Sequence, residues 1–325
     1  MRNFFVFIVV CCFVMGCSPV DKQHFFGTTQ GSYYSIIYYD EQSRDFSREF
    51  DSVFKEIEST LSLWDDNSII RRVNRNDTSV VLNQIFIDNF NYAMAAAELS
   101  DGYFDPTVGP LVSAWGFHYK ESMEMTPAIV DSLKQLVGYK KVSIENGKVL
   151  KEHPDITLDF NAVAQGYTTD MIGDFLVSRD VENFLVDVGG EILARGHKPN
   201  GDLWKVGIEK PAENKDSERI VQEIVELHDK SIVTSGNYRK YVEKNGRRYS
   251  HSLNPKTGYP SENSLLSATV ICENTAWADC LASICMLVGL DKAVEILETQ
   301  DDVKAYFIYL DGDEVKDVVL NFKPN

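Results

Sequence analysis

Three segments in the last third of the chain carry side chains suited to chemistry. T-S-G (Thr234 to Gly236) reads as a polar, hydroxyl-bearing loop between strand-like stretches. Y-S-H-S-L-N-P-K-T-G-Y-P (Tyr249 to Pro260) sets His251 beside a turn that Pro255 and Gly258 fix. A-D-C-L-A-S (Ala278 to Ser283) puts Asp279 and Ser283 at i and i+4 of a helix, so both side chains share one face. A carboxylate with a hydroxyl is hard-oxygen chemistry suited to Mg²⁺ or Ca²⁺. An imidazole accepts a proton from an attacking hydroxyl near neutral pH. Together they suggest a metal-assisted site for a phosphorylated ligand. Each has a plainer reading when taken alone. Asp279 suits a buried capping partner, Ser283 a small packing residue, and a lone histidine is most often structural or exposed.

Further upstream, D-F-N-A-V-A-Q-G-Y places Asp159 between a predicted strand over Ile156 to Phe160 and a helix from about Gly166 to Ser178. The N–H groups at such a helix start attract anions, and Asp159 equally suits a helix cap. Asp187 and Glu191 flank Gly189-Gly190, either to bind a ligand or to cap that turn. The chain holds no G-x-x-x-x-G-K-[ST], no G-x-G-x-x-G and no H-E-x-x-H, which sets aside P-loop enzymes, the usual dinucleotide fold and zincins.

The elements that must position these residues follow from periodicity. Phe26 to Tyr39 alternates and is rich in aromatics, predicting a strand behind a glycine turn. Phe46, Phe50, Phe54, Ile57 and Leu61 recur at helical spacing. Helices are also predicted over Asp88 to Ser100, from Thr126-Pro127 to Gly138, over Asn274 to Val288 and over Asp291 to Glu298. Asn183 to Val188, Trp204 to Ile208, Ile220 to Leu227, Ser231 to Thr234, Leu265 to Cys272 and Ala305 to Leu310 read as strands. Helices mixed with runs of consecutive strands predict an α+β fold rather than regular βαβ alternation.

The chain is 325 residues long with a net charge of -17. That argues against nucleic acid as a partner, which calls for clustered Lys and Arg, and means that a phosphate ligand must be held locally by a cation or backbone N–H groups. Residues 1–16 read as a signal peptide, with Arg2 ahead of an apolar run from Phe4 to Met15. V-M-G-C (Val14 to Cys17) looks like a bacterial lipobox, predicting lipidation of Cys17, a tether over 17–25, and a folded domain over 26–325 on the extracytoplasmic side of a cell membrane. Cys272, Cys280 and Cys285 match no zinc spacing and read as buried free thiols, with one disulfide among them also open.

The ordered segments F-G-T, E-S-T-L-S-L-W, S-I-I-R-R-V-N, G-Y-F-D-P-T-V-G-P-L-V-S-A-W-G-F, D-F-N-A-V-A-Q-G-Y, L-V-D-V-G-G-E-I, T-S-G-N-Y-R, Y-S-H-S-L-N-P-K-T-G-Y-P and A-D-C-L-A-S resemble the ApbE family of FAD:protein FMN transferases. The resemblance covers nearly the whole chain after Phe26. It implies a T-fold-like α+β architecture with mixed or antiparallel sheets, packed helices and no Rossmann unit. It implies that Mg²⁺ (with Ca²⁺ or Mn²⁺ compatible) is held by the Ala162 carbonyl, Asp279 and Ser283. It places Phe26, Trp64, Tyr103, Phe104, Asp105, Asp159, Gln165 and Leu253 against FAD, and His251 as the catalytic base. The family usually has Thr at Ser283, Lys or Glu at Gln165, and Asp at Asn254. The implied activity moves FMN from FAD to a Thr or Ser hydroxyl of an acceptor protein and releases AMP. The implied acceptors are subunits of Nqr- and Rnf-type redox complexes or related extracytoplasmic flavoproteins. Two alternatives stand beside it: an FAD pyrophosphatase giving FMN and AMP, and an FAD-binding lipoprotein without chemistry.

Overall fold

The computed structural model describes residues 21–117, 123–211, 220–237, 241–244, 247–250 and 252–321. In chain order the elements are β1 (Asp21–Thr29), β2 (Ser32–Asp40), α1 (Ser47–Leu61), α2 (Ile69–Asn74), α3 (Gln84–Leu99), α4 (Gly109–Trp115), α5 (Pro127–Lys134), β3 (Val142–Glu145), β4 (Lys148–Lys151), α6 (Ala164–Ser178), β5 (Asn183–Val188) and β6 (Glu191–Arg195). They continue with β7 (Trp204–Glu209), β8 (Val221–Leu227), β9 (Lys230–Gly236), β10 (Tyr241–Lys244), β11 (Arg247–Ser250), β12 (Leu253–Asn254), β13 (Tyr259–Pro260), β14 (Leu265–Cys272), α7 (Thr275–Val288), α8 (Leu290–Leu297), β15 (Lys304–Asp311) and β16 (Glu314–Leu320). The architecture is α+β. Its centre is an eight-stranded sheet in the order β1-β2-β5-β6-β9-β14-β15-β16, antiparallel at every pairing.

Strand alternation sends neighbouring side chains to opposite faces. Val233, Val270 and Phe307 face the helices, where they join α1, α3 and α7 in the largest core. Their neighbours Ile232, Ile271 and Ile308 face the other way, under the β7–β8 hairpin with Trp204 and Leu227. The sheet thus lies between a helical layer and a hairpin. α7 is apolar around most of its circumference, as a helix sunk in a core must be. Leu281 on it is fully buried, and truncating such a leucine to alanine costs about 2–5 kcal/mol. Cys272, Cys280 and Cys285 are buried free thiols.

The structure departs from the periodicity reading in four places. Asp21 to Phe25, inside the span expected as tether, belong to β1, which pairs along its whole described length with β2. Phe26 to Tyr39, expected as one strand behind a glycine turn, is two strands with that turn between them, at Gln30 and Gly31, which both have positive φ as a two-residue hairpin requires. Thr234 to Gly236, expected as a loop, ends β9 and pairs with β14. Ile156 to Phe160, expected as a strand, has none: the Leu158 N–H donates to Asn74 Oδ1 (2.7 Å) and its carbonyl accepts from Asn74 Nδ2 (2.9 Å), so one side-chain amide stands where a neighbouring strand would be. No helix among the described residues is long and apolar enough to cross a membrane. Residues 1–20, with Cys17, lie outside the described residues.

Candidate active site

The site is organised by the contact between α6 and α7. Gly166 in the first turn of α6 lies so close to α7 that a Cβ there would sit 2.6 Å from the Thr275 carbonyl oxygen and 2.8 Å from Ala276 Cα. Any larger residue would push the helices apart. One turn along, the Asp170 carboxylate accepts the Thr275 and Ala276 N–H groups, both at 2.9 Å. Together with Asn274, which accepts from the Trp277 N–H at 2.7 Å, it caps the start of α7. Ala162 stands four residues before Gly166, and Asp279 four residues after Thr275. Asp279 therefore lies about one helical turn along α7 from the contact, Ser283 follows one turn beyond, and Ala162 precedes the first residue of α6 by two positions.

Asp279 is 5 % exposed on an otherwise apolar stretch of helix, and Ser283 is half-buried on the same face. A carboxylate in such surroundings is tolerated only with polar or cationic company. A carboxylate and a hydroxyl, joined by a main-chain carbonyl such as that of Ala162, would suit Mg²⁺ or Ca²⁺ and not a thiol- or imidazole-seeking ion.

The other predicted positions gather from three loops. The Asp159 N–H donates to the Pro106 carbonyl at 2.8 Å, and Gly109 lies where a Cβ would be 2.5 Å from Thr157 Oγ1. The segment before Ala162 is therefore laid against the loop holding Tyr103 to Asp105. The half-buried Tyr103 ring is held between the ammonium groups of Lys256 (4.3 Å) and Lys292 (4.2 Å), and Lys256 also pairs with Asp101 at 2.7 Å. Trp115 Nε1 donates to the Gly258 carbonyl at 3.0 Å, and Leu253 packs with Leu111, Trp115 and Val137. Thus Tyr103, Asp159 and Leu253 belong to one neighbourhood.

Asp105 and Phe104 face inward. Asp105 Oδ1 accepts from the Thr107 N–H (2.8 Å) and hydroxyl (2.6 Å), and Oδ2 from the Tyr139 N–H (2.8 Å). Burial pushes the Asp105 carboxyl above its ordinary range despite these donors. Its side chain shapes the loop, and Phe104 fills the main core. Asp159 Oδ1 accepts from the Asn161 N–H at 2.8 Å, an Asx turn ahead of the helix and not a cap of α6. Asp187 caps the Gly189-Gly190 turn, accepting from the Gly190 N–H at 2.9 Å. Gln165 lies against Gly189, where a Cβ would be 2.3 Å from its Nε2. Phe26 and Trp64 stand apart from this packing, 77 % and 63 % exposed, as large aromatic faces open to a planar ligand. His251 lies outside the described residues.

Sequence reasoning missed Asp170. It closes the start of α7 and lines an open cleft of about 690 Å³ between α3, α6 and α7, with Asp88, Tyr92, Tyr167 and Trp277. Burial raises its carboxyl to about 6. Its distance of eight residues from Ala162 carries no local signal, since the partner N–H groups are about a hundred residues away. The lysine pair around Tyr103 was equally silent.

Fold and helix contact together define an α+β protein built on an antiparallel sheet, in which α6 meets α7 at Gly166. The ApbE family model matches residues 30–307, and the chain belongs to the ApbE family. An FAD:protein FMN transferase of Vibrio cholerae is 31 % identical over 100 % of this chain and 99 % of its own length. One from Haemophilus influenzae is 30 % identical over 87 % and 85 %. Among solved structures, the flavin transferase ApbE from Vibrio cholerae superposes with a TM-score of 0.83 at 29 % identity, covering 93 % of this chain and 98 % of that one. The apo form of Pseudomonas stutzeri flavinyl transferase ApbE gives the same TM-score and identity over 93 % and 95 %.

Proposed function

We propose that this chain transfers FMN from FAD to a Thr or Ser hydroxyl of an acceptor protein, with AMP as the leaving group. The observation that supports the reading is the Asp279–Ser283 oxygen pair on α7, the helix that Gly166 of α6 packs against, in a chain 31 % identical to a named FAD:protein FMN transferase over 100 % of its length. Asp279, Ser283 and the Ala162 carbonyl hold Mg²⁺ in this proposal. The ion, when bound, offsets pyrophosphate charge that a chain of net charge -17 does not offset by itself. Phe26 and Trp64 offer stacking faces to the ring systems of FAD. Tyr103 and its two lysines add positive charge near the loop that Asp159 leans on. His251 accepts the proton of the acceptor hydroxyl. The resulting oxygen bonds to the phosphorus on the flavin side as the bond to the AMP oxygen breaks.

The acceptors are subunits of Nqr- or Rnf-type redox complexes or other extracytoplasmic flavoproteins, and a lipid on Cys17 keeps the enzyme at the membrane beside them. Lipidation is tested by labelling with a radioactive fatty acid, which Cys17→Ser should abolish. Activity is tested by incubating the chain with FAD, Mg²⁺ and an acceptor domain, then reading flavin fluorescence in a denaturing gel and the mass added to the acceptor. Label on the acceptor is the expected result. AMP released without label would make the chain a pyrophosphatase, and FAD recovered intact would make it a carrier.

A further inference from the structure

We propose that His197 and His228 form a binding site for a late first-row divalent ion, Cu²⁺, Ni²⁺ or Zn²⁺, separate from the hard-oxygen site. His197 lies in the loop from β6 to β7, and His228 in the turn from β8 to β9. Both are exposed, and their Nε2 atoms are 3.1 Å apart. Metal–imidazole bonds of about 2.05 Å span that separation at an N–metal–N angle of about 98°, between a right angle and the tetrahedral angle. The ring centroids are 4.4 Å apart and the planes tilted by 35°, so one ion between the two nitrogens asks for a turn of the rings about their side-chain bonds and no change in the spacing of the nitrogens.

The surrounding backbone holds this pair in place. Asp229 Oδ1 accepts from the Gly196 N–H at 2.9 Å and ties the two loops together. Asn183 Oδ1 accepts from the His197 N–H at 2.8 Å. Gly196 has φ +61, and a Cβ there would lie 2.2 Å from Asn183 Oδ1, so this meeting of loops requires glycine. The second carboxylate oxygen of Asp229 is 3.5 Å from His228 Nδ1. A carboxylate at that distance suits the tautomer with the proton on Nδ1, in which Nε2 is the metal-binding nitrogen. Imidazole nitrogens select late transition ions over Mg²⁺ and Ca²⁺. No third His, Cys, Asp or Glu joins the pair among the described residues, so water completes the coordination sphere. The pair sits at the Lys230 end of β9, and Thr234 to Gly236 form the other end, about 20 Å away by strand rise.

The test is calorimetric titration of the tag-free full-length chain with Cu²⁺, Ni²⁺ and Zn²⁺ in excess Mg²⁺. One ion per chain is expected, with Cu²⁺ tightest. His197→Ala or His228→Ala should remove that binding, and Asp229→Asn should weaken it by about tenfold or more. Asp279→Ala should leave it intact, and His197→Ala should leave flavin transfer in Mg²⁺ unchanged. His197→Gln and His228→Gln serve as partners if alanine loosens the loops. Absence of binding to the natural chain would mean that the rings only share a hydrogen bond, and would overturn the proposal. Binding that survives both histidine substitutions would overturn it as well.

Discussion

Asp170 lies across the first turn of α7 with Oδ1 2.9 Å from the Thr275 nitrogen, so one helix of the site is capped by a side chain of the other. The carboxyl is raised to about 6 because burial opposes its charge more strongly than the Thr275 and Ala276 donors favour it. A group raised above its ordinary value near 3.8 contributes stability in full below that value and loses it as pH rises through about 6. Denaturation of the natural chain should therefore gain up to about 3 kcal/mol from this group between pH 7 and pH 4. Asp170→Asn should lack that gain. Urea unfolding of both proteins across the window measures it, and parallel curves would remove Asp170 as the source.

Gly166→Ala should be costly for its size. The new methyl meets main-chain atoms of Thr275 and Ala276, which cannot turn aside. Overpacking of this kind costs about 1–3 kcal/mol. The same substitution should raise the Mg²⁺ concentration needed for half-maximal flavin transfer, because α6 carries the Ala162 end of the donor set away from α7. Thermal melting and a Mg²⁺ titration report the two effects separately.

Asp279→Ala should abolish Mg²⁺-dependent turnover, and Ser283→Thr should preserve it. Ser283→Ala should raise the Mg²⁺ requirement while leaving FAD fluorescence quenching in excess Mg²⁺ close to normal. In-gel flavin fluorescence at graded Mg²⁺ separates the three variants.

Asp105→Ala should act on stability before ligand binding. It strands the buried Thr107 and Tyr139 donors, at about 1–3 kcal/mol. Tyr103→Leu should differ in its ligand dependence: losing two cation–π contacts at about 0.5–1 kcal/mol each costs about 1–2 kcal/mol in all, and the KM for FAD should rise several-fold. A KM for FAD unchanged in Tyr103→Leu, or raised equally in Asp105→Ala, would contradict this division of roles.

The parts of the molecule that could be read from residues alone are those whose partners lie nearby in the chain. α7 announces itself through the Asn274 cap, its apolar run and the Asp279–Ser283 spacing, all within one segment. β1 began earlier than expected because it is an edge strand whose first residues, Asp21 to His24, are polar and mostly exposed. Main-chain pairing with β2 makes it a strand, and pairing leaves no trace in hydropathy. Ile156 to Phe160 failed in the opposite sense. Its alternation is real, with Ile156, Leu158 and Phe160 all buried, yet Asn74 occupies the place of a neighbouring strand. Asp105 is placed against FAD by the family resemblance alone. Only the fold reveals that its oxygens are already taken up by Thr107 and Tyr139.

The interior cysteines give the molecule a chemical clock. Burial lifts the Cys272 thiol to about 11 and those of Cys280 and Cys285 further still, so little thiolate is available to alkylating reagents or peroxide while the core is closed. Cys280 is the immediate neighbour of Asp279. A reagent that reaches it must first have parted α7 from the sheet, so the labelling rate at Cys280 measures how often that helix lifts away from the core.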